Sequence, residues 1–438
     1  MRYPRTRLMA VLTLALASVA PAAFAQNLQE LYDAARAYDA SFLAAQAQAK
    51  SAEFRAAQAG ALSRPSASLT SSATLTRLDL PSVDGNSNSV GVNLGTRYPL
   101  FNRANSVTQA QAQKALTLAQ SDLTSAEQDL IIRVSQAYFD VLAAQDALAT
   151  SKASKAAITE QLASAKRNFE VGTATITDTR EAQARFDLAT AQELAAENDL
   201  RTKRIALDQI VGRNNVAPKG LAKPVALPAV QPADVLPWVN QSESAHPAIN
   251  RARLGLEVAQ LEVDKARAGK LPTVDAVGSV GATDASGRLA NSPGTSKSVS
   301  VGVQLNWPLY TGGAVENRLK ETVALEEKSR NDLEAARRAV SQATRQAFFG
   351  LQSGMAQVKA LEAAEASSQL ALEATQLGYR VGVRVNLDVL NAQTQLFTTQ
   401  RDLARARYEV LLANLRLRQA SGVLQANDLR PLNAMLMR

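Results

Sequence analysis

Cysteine is absent from the 438-residue sequence, and the single histidine is His246. Without a thiol the chain forms no disulfide, and it has no cysteine to bind zinc or act as a nucleophile. One histidine leaves the usual zinc sites and most histidine-based triads incomplete. Phosphate-binding loops are also missing, since no Gly-x-Gly occurs and Gly269-Lys270 is followed by Leu271. We therefore expect neither an enzyme nor a bound metal or cofactor.

Long apolar runs are confined to the N-terminus. No stretch after residue 25 reaches the roughly 18 consecutive apolar residues of a membrane-spanning helix, so any membrane crossing must use strands. The first 25 residues have the order of a secretory signal. They carry a charged start, an apolar run and a small-residue cleavage site, namely Arg2, Arg5 and Arg7, residues 8–20, and Ala23-Phe24-Ala25. The mature chain is predicted to begin at Gln26, which is not a cysteine for lipid attachment.

The excess of positive charge is small. The formal net charge is +8, and three of the arginines lie in the predicted signal. The other basic residues are spread along predicted helices beside Glu and Asp rather than clustered. Nucleic-acid binding is therefore not expected.

Proline is missing from two long stretches, residues 101–217 and 309–430. Both are rich in good helix formers, and a proline inside a helix would break it. Each stretch predicts a long helix, a turn at a glycine and a shorter returning helix: 103–168, Gly172 and 178–212, then 314–378, Gly382 and 388–421. Apolar positions along the long helices recur with a mean spacing of about 3.5, which indicates a narrow coiled-coil seam. The pattern favours a wall of helices over a solid bundle.

The two stretches belong to an internal repeat with an offset close to 210 residues. Residues 98–101 (YPLF) return as 307–310 (WPLY), and Gly172 and Gly212 return as Gly382 and Gly422. We divide the mature chain into a first repeat at 26–212, a linker at 213–245, a second repeat at 246–422 and a tail at 423–438. Each repeat opens with a further helix, at about 28–62 and 246–269.

Two segments with alternating polarity precede each long helix. They predict strands at 66–77, 88–98, 273–283 and 297–307, with one apolar and one polar face. Aromatic residues near their ends, Tyr98, Trp307 and Tyr310, are typical of the girdle of a transmembrane barrel. Four strands do not close a barrel, and an open edge in lipid leaves backbone groups unpaired. The chain is therefore expected to oligomerise, and three copies would supply 12 strands.

These features resemble the TolC-type outer-membrane efflux protein family over essentially the whole mature chain. Two segments carry the resemblance most specifically: residues 307–313 (WPLYTGG) and 379–390 (YRVGVRVNLDVL). The fold implied is mostly α with a transmembrane β part, a homotrimer whose 12-stranded barrel joins an α-helical barrel. The resemblance places it in the outer-membrane lipid of a Gram-negative bacterium, with the helices in the periplasm. The implied partners are a periplasmic adaptor (membrane fusion) protein and an inner-membrane ABC or RND pump.

The resemblance also implies roles for individual residues. Gly172 and Gly382 would lie in turns at the periplasmic tip, where the pore narrows. Asp388 would form the constriction, while Asn391 stands where the family often has a second acid, which lowers the expected charge of that ring. Gate links would run from Arg384 and Tyr379 to the acidic turn at Thr177 and Asp178.

Simpler roles remain open for the same residues. Asp178 and Asp388 lie near helix starts, where an acid interacts favourably with exposed amides. The glycines are needed only for a turn with positive φ. The main alternative for the whole protein is a coiled-coil surface adhesin or periplasmic spacer without transport. The cargo, whether polypeptides or small toxic molecules, is not readable, although the missing lipid-attachment cysteine favours the type I secretion or general-purpose branch.

Overall fold

The computed structural model describes residues 26–81, 83–222, 225, 227–290 and 293–436. The predicted secretory signal at 1–25 lies outside the described residues. The first repeat contains four helices and two strands: α1 Leu28–Tyr38, α2 Ala40–Ala61, β1 Ser66–Leu80, β2 Val83–Phe101, α3 Arg103–Glu170 and α4 Ile176–Val211. The rest of the chain contains α5 Val235–Ala245, α6 Pro247–Ala268, β3 Thr273–Ser286, β4 Gly294–Asn306, α7 Ala314–Arg380, α8 Asn386–Ala420 and, after a 3₁₀ turn at Ala426–Asp428, α9 Leu429–Ala434.

The long helices α3 and α7 have 68 and 67 residues. At 1.5 Å per residue each is about 100 Å long. The two begin differently. The side chain of Asn102 caps α3 by accepting a hydrogen bond from the backbone N–H of Asn105 (3.1 Å), whereas α7 follows Gly312 and Gly313, both with positive φ and without a side-chain cap.

Three element boundaries differ from the sequence-based expectation. The predicted helix 28–62 is interrupted at Asp39, whose carboxylate caps α2 through the N–H of Phe42 (2.8 Å) and pairs with Arg133 (3.0 Å). The predicted linker contains α5. The strands run further toward the turns than their side-chain alternation indicates, because ladder hydrogen bonds join backbone groups whatever the side chain.

The four strands form one antiparallel sheet in the order β1-β2-β3-β4. The register aligns Leu69 with Leu94, Leu94 with Val280, and Val280 with Val299. Because side chains alternate between faces, these residues share one apolar face, and Ser, Thr, Asn and Gly dominate the other. Strands β1 and β4 are the two edges of the sheet.

The thickest part of the protein surrounds the middle of α3. Here α1, α8, α9 and residues 216–221 pack on one buried cluster that includes Tyr138, Phe139 and Leu415. The phenol of Tyr138 donates to the backbone oxygen of Lys219 (2.8 Å), which ties the segment after α4 to the cluster. The former linker and the C-terminal tail therefore help to build the core where the two repeats meet.

No helix among the described residues combines the length and the apolarity needed to cross a membrane.

Candidate functional site at the helix turns

The two turns between long and returning helices have the same backbone geometry. Gly172 and Gly382 have φ of 78° and 81°, in the left-handed region that glycine adopts at little cost. The N–H of Thr173 donates to the oxygen of Asn168 (2.8 Å), and that of Val383 to the oxygen of Gly378 (2.9 Å). A Cβ at either glycine would meet no atom within 4 Å. The glycines are therefore required for backbone conformation rather than for close packing.

Asp178 caps its own helix. Thr175 and Asp178 form a capping box at the start of α4, in which the Asp178 carboxylate accepts from the backbone N–H (2.9 Å) and hydroxyl (2.7 Å) of Thr175. The Thr175 hydroxyl in turn accepts from the N–H of Asp178 (3.2 Å). The neighbouring Thr177 is exposed. The carboxylate is thus engaged by local backbone groups that it would have to leave in order to reach another helix.

Arg384 and Tyr379 have partners other than Asp178. Arg384 lies four residues before Asp388 and pairs with it at 3.5 Å, with 62% and 37% of the two side chains exposed. The hydroxyl of Tyr379 accepts a hydrogen bond from the side-chain amide of Asn168 (3.2 Å). Among the described contacts within one chain, the expected links to Asp178 are not formed, because the capping box occupies that carboxylate. The connection between the two turns runs instead through uncharged groups.

A second connection between uncharged groups joins α3 to the buried start of α8. The side-chain N–H of Gln161 on α3 donates to the side-chain oxygen of Asn386 at the start of α8. Only 2% of Asn386 is exposed. Breaking this contact would leave the buried side-chain oxygen of Asn386 without a partner, which costs about 1–3 kcal/mol. Together with Asn168 and Tyr379, this pair fastens the first helical hairpin to the second.

Asn391 also has a partner that the sequence did not reveal. Its carbonyl oxygen accepts a hydrogen bond from the guanidinium of Arg185 on α4 (2.9 Å). Beside this contact, Ala182 and Ala189 of α4 pack with Leu390 of α8 in one buried cluster. Arg185 was missed because it belongs to neither family-like segment, and only the packing of α4 on α8 brings it near Asn391. The one available signal in the sequence was that α4 and α8 are the equivalent returning helices of the two repeats.

The remaining predicted residues lie apart from the turns. Tyr98, Trp307 and Tyr310 are exposed near the junction of strands and helices, and the indole N–H of Trp307 donates to the backbone oxygen of Lys270 (3.2 Å). His246 caps α6: its Nδ1 accepts from the N–H of Ala248 (3.1 Å), and burial lowers the pKa of the imidazole. Its local role is structural.

The polar groups at the turns are hydrogen-bonded locally or exposed. In the described part of the chain, no three His, Asp or Glu side chains are placed to hold a metal ion. What the turns do offer is a set of exposed charges and weak contacts between two helical hairpins.

Comparison with known proteins identifies the family. The outer membrane efflux protein family model matches residues 31–213 and again 238–423, in agreement with the internal repeat. The outer membrane protein TolC of Vibrio cholerae is 32% identical over 424 residues, which cover 96% of each sequence. The alkaline protease secretion protein AprF of Pseudomonas aeruginosa is 32% identical over 340 residues, 77% of this chain and 70% of that protein.

A solved structure has the same fold. The outer membrane protein VceC of Vibrio cholerae superposes with a TM-score of 0.75 at 21% identity, over 90% of this chain and 96% of that one. The expected mostly α fold with a four-stranded β part is thereby confirmed. The chain belongs to the outer membrane efflux protein family, and it is an exit channel of the Gram-negative outer membrane that extends into the periplasm.

Proposed function

We propose that the working channel is a homotrimer, in which three four-stranded sheets close into one barrel of 12 strands and the helices continue it as a tunnel. The observation that carries this proposal is the sheet. It has one apolar face, one polar face and unpaired edges at β1 and β4. A sheet with these faces is satisfied in lipid only when its edges are joined. In that barrel Tyr98, Trp307 and Tyr310 would lie at the membrane interface.

The helices support the same assembly. Phe139 of α3, in the first repeat, and Leu415 of α8, in the second, lie in the same buried cluster, with 3% and 1% of their surfaces exposed. Their counterparts at an offset of 210 residues are Phe349 of α7 and Ile205 of α4, of which 54% and 61% are exposed. Within one chain, α3 of the first repeat is covered by α8 of the second. The equivalent surfaces of α7 and α4 are left uncovered. A neighbouring subunit covers them, and repetition of the contact closes a ring.

The helix turns would form the periplasmic tip and its gate. Asp388 and Asn391 would line the constriction, with Tyr379 and Arg384 beside them and Thr177 and Asp178 on the adjoining turn. The weak pairs at this end suit a gate, because exposed ion pairs contribute only about 0–1 kcal/mol each. An adaptor can open such a gate by binding the open state more tightly.

Channels of this family work with periplasmic adaptors and inner-membrane pumps. We propose an ABC pump and polypeptide cargo for this chain, with an RND pump and small toxic molecules as the second candidate. The name of AprF, a protein for secretion of alkaline protease, favours the first pairing. Because a conduit has no substrate pocket of its own, the pump selects the cargo.

The test is conductance of the purified, reconstituted protein. Detergent-extracted protein should run as a heat-resistant trimer and give single-channel currents in a planar bilayer. A variant with Val301→Asp, which puts a carboxylate on the apolar face of the sheet, serves as the matched negative control. Trimers without conductance would support the spacer alternative, and monomers in the membrane would contradict the closed barrel.

A further inference from the structure

We propose that Arg185 sets the ion preference of the channel tip, by placing a fixed positive charge beside Asp388 that makes the constriction tolerant of anionic cargo. The inference rests on the proposed channel with its constriction at Asp388 and Asn391. Arg185 is then a specificity-determining residue, and the class of cargo is acidic segments of polypeptide or other anions.

The position of Arg185 follows from its contact with α8. Its guanidinium donates to the side-chain oxygen of Asn391 at 2.9 Å. Asp388 and Asn391 are three residues apart on α8, so their side chains are neighbours on one face of the helix, about 5–6 Å apart at Cβ. Arg185 therefore places its positive charge beside the residue that neighbours Asp388 on this face of α8. The placement of Arg185 next to this face of α8 does not depend on the direction in which the face points in the assembly.

Packing holds Arg185 in this place. Ala182 and Ala189 flank it on α4, at the spacing of one helix face, and both are buried against the cluster that contains Leu390 of α8. The same cluster contains Ile158, Leu162 and Ala165 of α3, so the buried alanines fix α4 against α3 as well as beside α8. The backbone at Arg185 is thereby fixed, and its half-buried side chain meets Asn391 at the surface of the protein.

The local charge balance differs from that of an acidic ring. Arg384 pairs with Asp388 at 3.5 Å, and among the described residues no carboxylate lies within the 4 Å limit of an ion pair with Arg185. Asn391, the partner of Arg185, is neutral. Asp388, Arg384 and Arg185 thus place one carboxylate and two guanidinium groups near the constriction, and Glu181 lies one turn before Arg185 on α4. Asp388 alone would favour cations, and Arg185 offsets that preference.

The effect of Arg185 on ion preference is strongest in a narrow passage. Charges that line a constriction with low-dielectric walls raise the local concentration of oppositely charged ions. In the assembly each charge at this level occurs once per subunit. An acidic segment of polypeptide would then pass without the repulsion that a ring of six carboxylates would exert.

The test is the reversal potential of single channels in a KCl gradient. Arg185→Gln should raise the K⁺ to Cl⁻ permeability ratio roughly two- to fivefold, and Arg185→Lys should keep the wild-type value. Arg204→Gln is the matched control. It removes the same charge from an exposed site on α4, about 29 Å further along the helix and beyond the Debye length. It should leave the ratio unchanged.

The absence of cysteine allows a second measurement in an assembled channel. In Arg185→Cys, modification with a trimethylammonium-bearing methanethiosulfonate should return the ratio toward the wild-type value, and a sulfonate-bearing reagent should move it further toward K⁺. Equal ratios for wild type, Arg185→Gln and both modified forms would overturn the assignment. A wild-type protein that conducts nothing would instead refute the proposed channel.

Discussion

The ring of Phe139 on α3 stacks on that of Tyr408 on α8, with centroids 6.0 Å apart and planes inclined by 26°. This contact joins the first repeat to the second within one chain. The same positions in the other pairing of repeats are Phe349 and Asn198, both exposed in the single subunit. In the proposed trimer we therefore expect Phe349 of one subunit to face Asn198 of its neighbour.

Cross-linking tests that interface. With cysteines at Phe349 and Asn198, a short bifunctional thiol reagent should produce covalent dimers and trimers in intact membranes, because the two positions should face each other as Phe139 and Tyr408 do. Each single-cysteine variant serves as control and should remain monomeric on denaturing gels. If the double variant shows no bands beyond those of the single variants, the repeat does not govern assembly.

The two faces of the sheet should respond oppositely to charge. Val301 is 89% exposed on the apolar face of β4, while Ser300 points to the polar face. Val301→Asp should reduce the amount of trimer in the outer membrane, since a charge facing lipid is destabilising, by about 2–4 kcal/mol for a basic residue at the bilayer midplane and by less for an acidic one. Ser300→Asp should assemble normally. Equal assembly of both variants, measured by heat-modifiable mobility of membrane fractions, would remove the assignment of the lipid face.

The gate should loosen when its weak contacts are removed. Tyr379→Phe deletes the hydroxyl that accepts from Asn168, and Arg384→Glu replaces an attractive pair with Asp388 by a repulsive one. The double variant should admit large antibiotics and raise the closed-state conductance while still forming trimers. Arg380→Glu, an equal charge change four residues earlier, is the control. Wild-type currents in the double variant would mean that the closed state is held elsewhere.

Asp178 offers a choice between capping and gating. Asp178→Ala should destabilise the first turn of α4 by about 0.3–1 kcal/mol, and Asp178→Glu should preserve that turn because glutamate is the usual N3 residue of a capping box. Hydrogen exchange of residues 176–180 reports this directly. A gating role would appear instead as increased antibiotic leakage in Asp178→Ala with unchanged exchange.

Asp388→Asn should shift ion preference toward anions. It removes the carboxylate at this level and leaves Arg384 and Arg185 in place, so the K⁺ to Cl⁻ permeability ratio should fall below the wild-type value. Reversal potentials measured in the same KCl gradient give the answer. An unchanged ratio would leave Asp388 as a helix-start residue that interacts with exposed amides.

The repeat, the proline-free stretches and the alternating segments were sufficient to predict the order and kind of the main elements. Periodicity and helix-breaking residues are local properties, and each long element displays them many times. Gly172 and Gly382 were placed for the same reason, since a turn between two helices needs a residue that tolerates positive φ. The family itself followed from the repeat together with the segments at 307–313 and 379–390.

Tertiary packing decided the partners of the polar side chains. The sequence offered Asp178 two roles, and the capping box engaged its carboxylate because Thr175 is held three residues away by the helix itself. Arg185 and Asn391 are 206 positions apart, and they meet only because α4 and α8 both pack along α3. Local patterns in the chain were enough to assign helix, turn and strand. The fold decided which polar side chains meet near the helix turns, because long-range contacts depend on how the helices pack and leave no periodic trace along the chain.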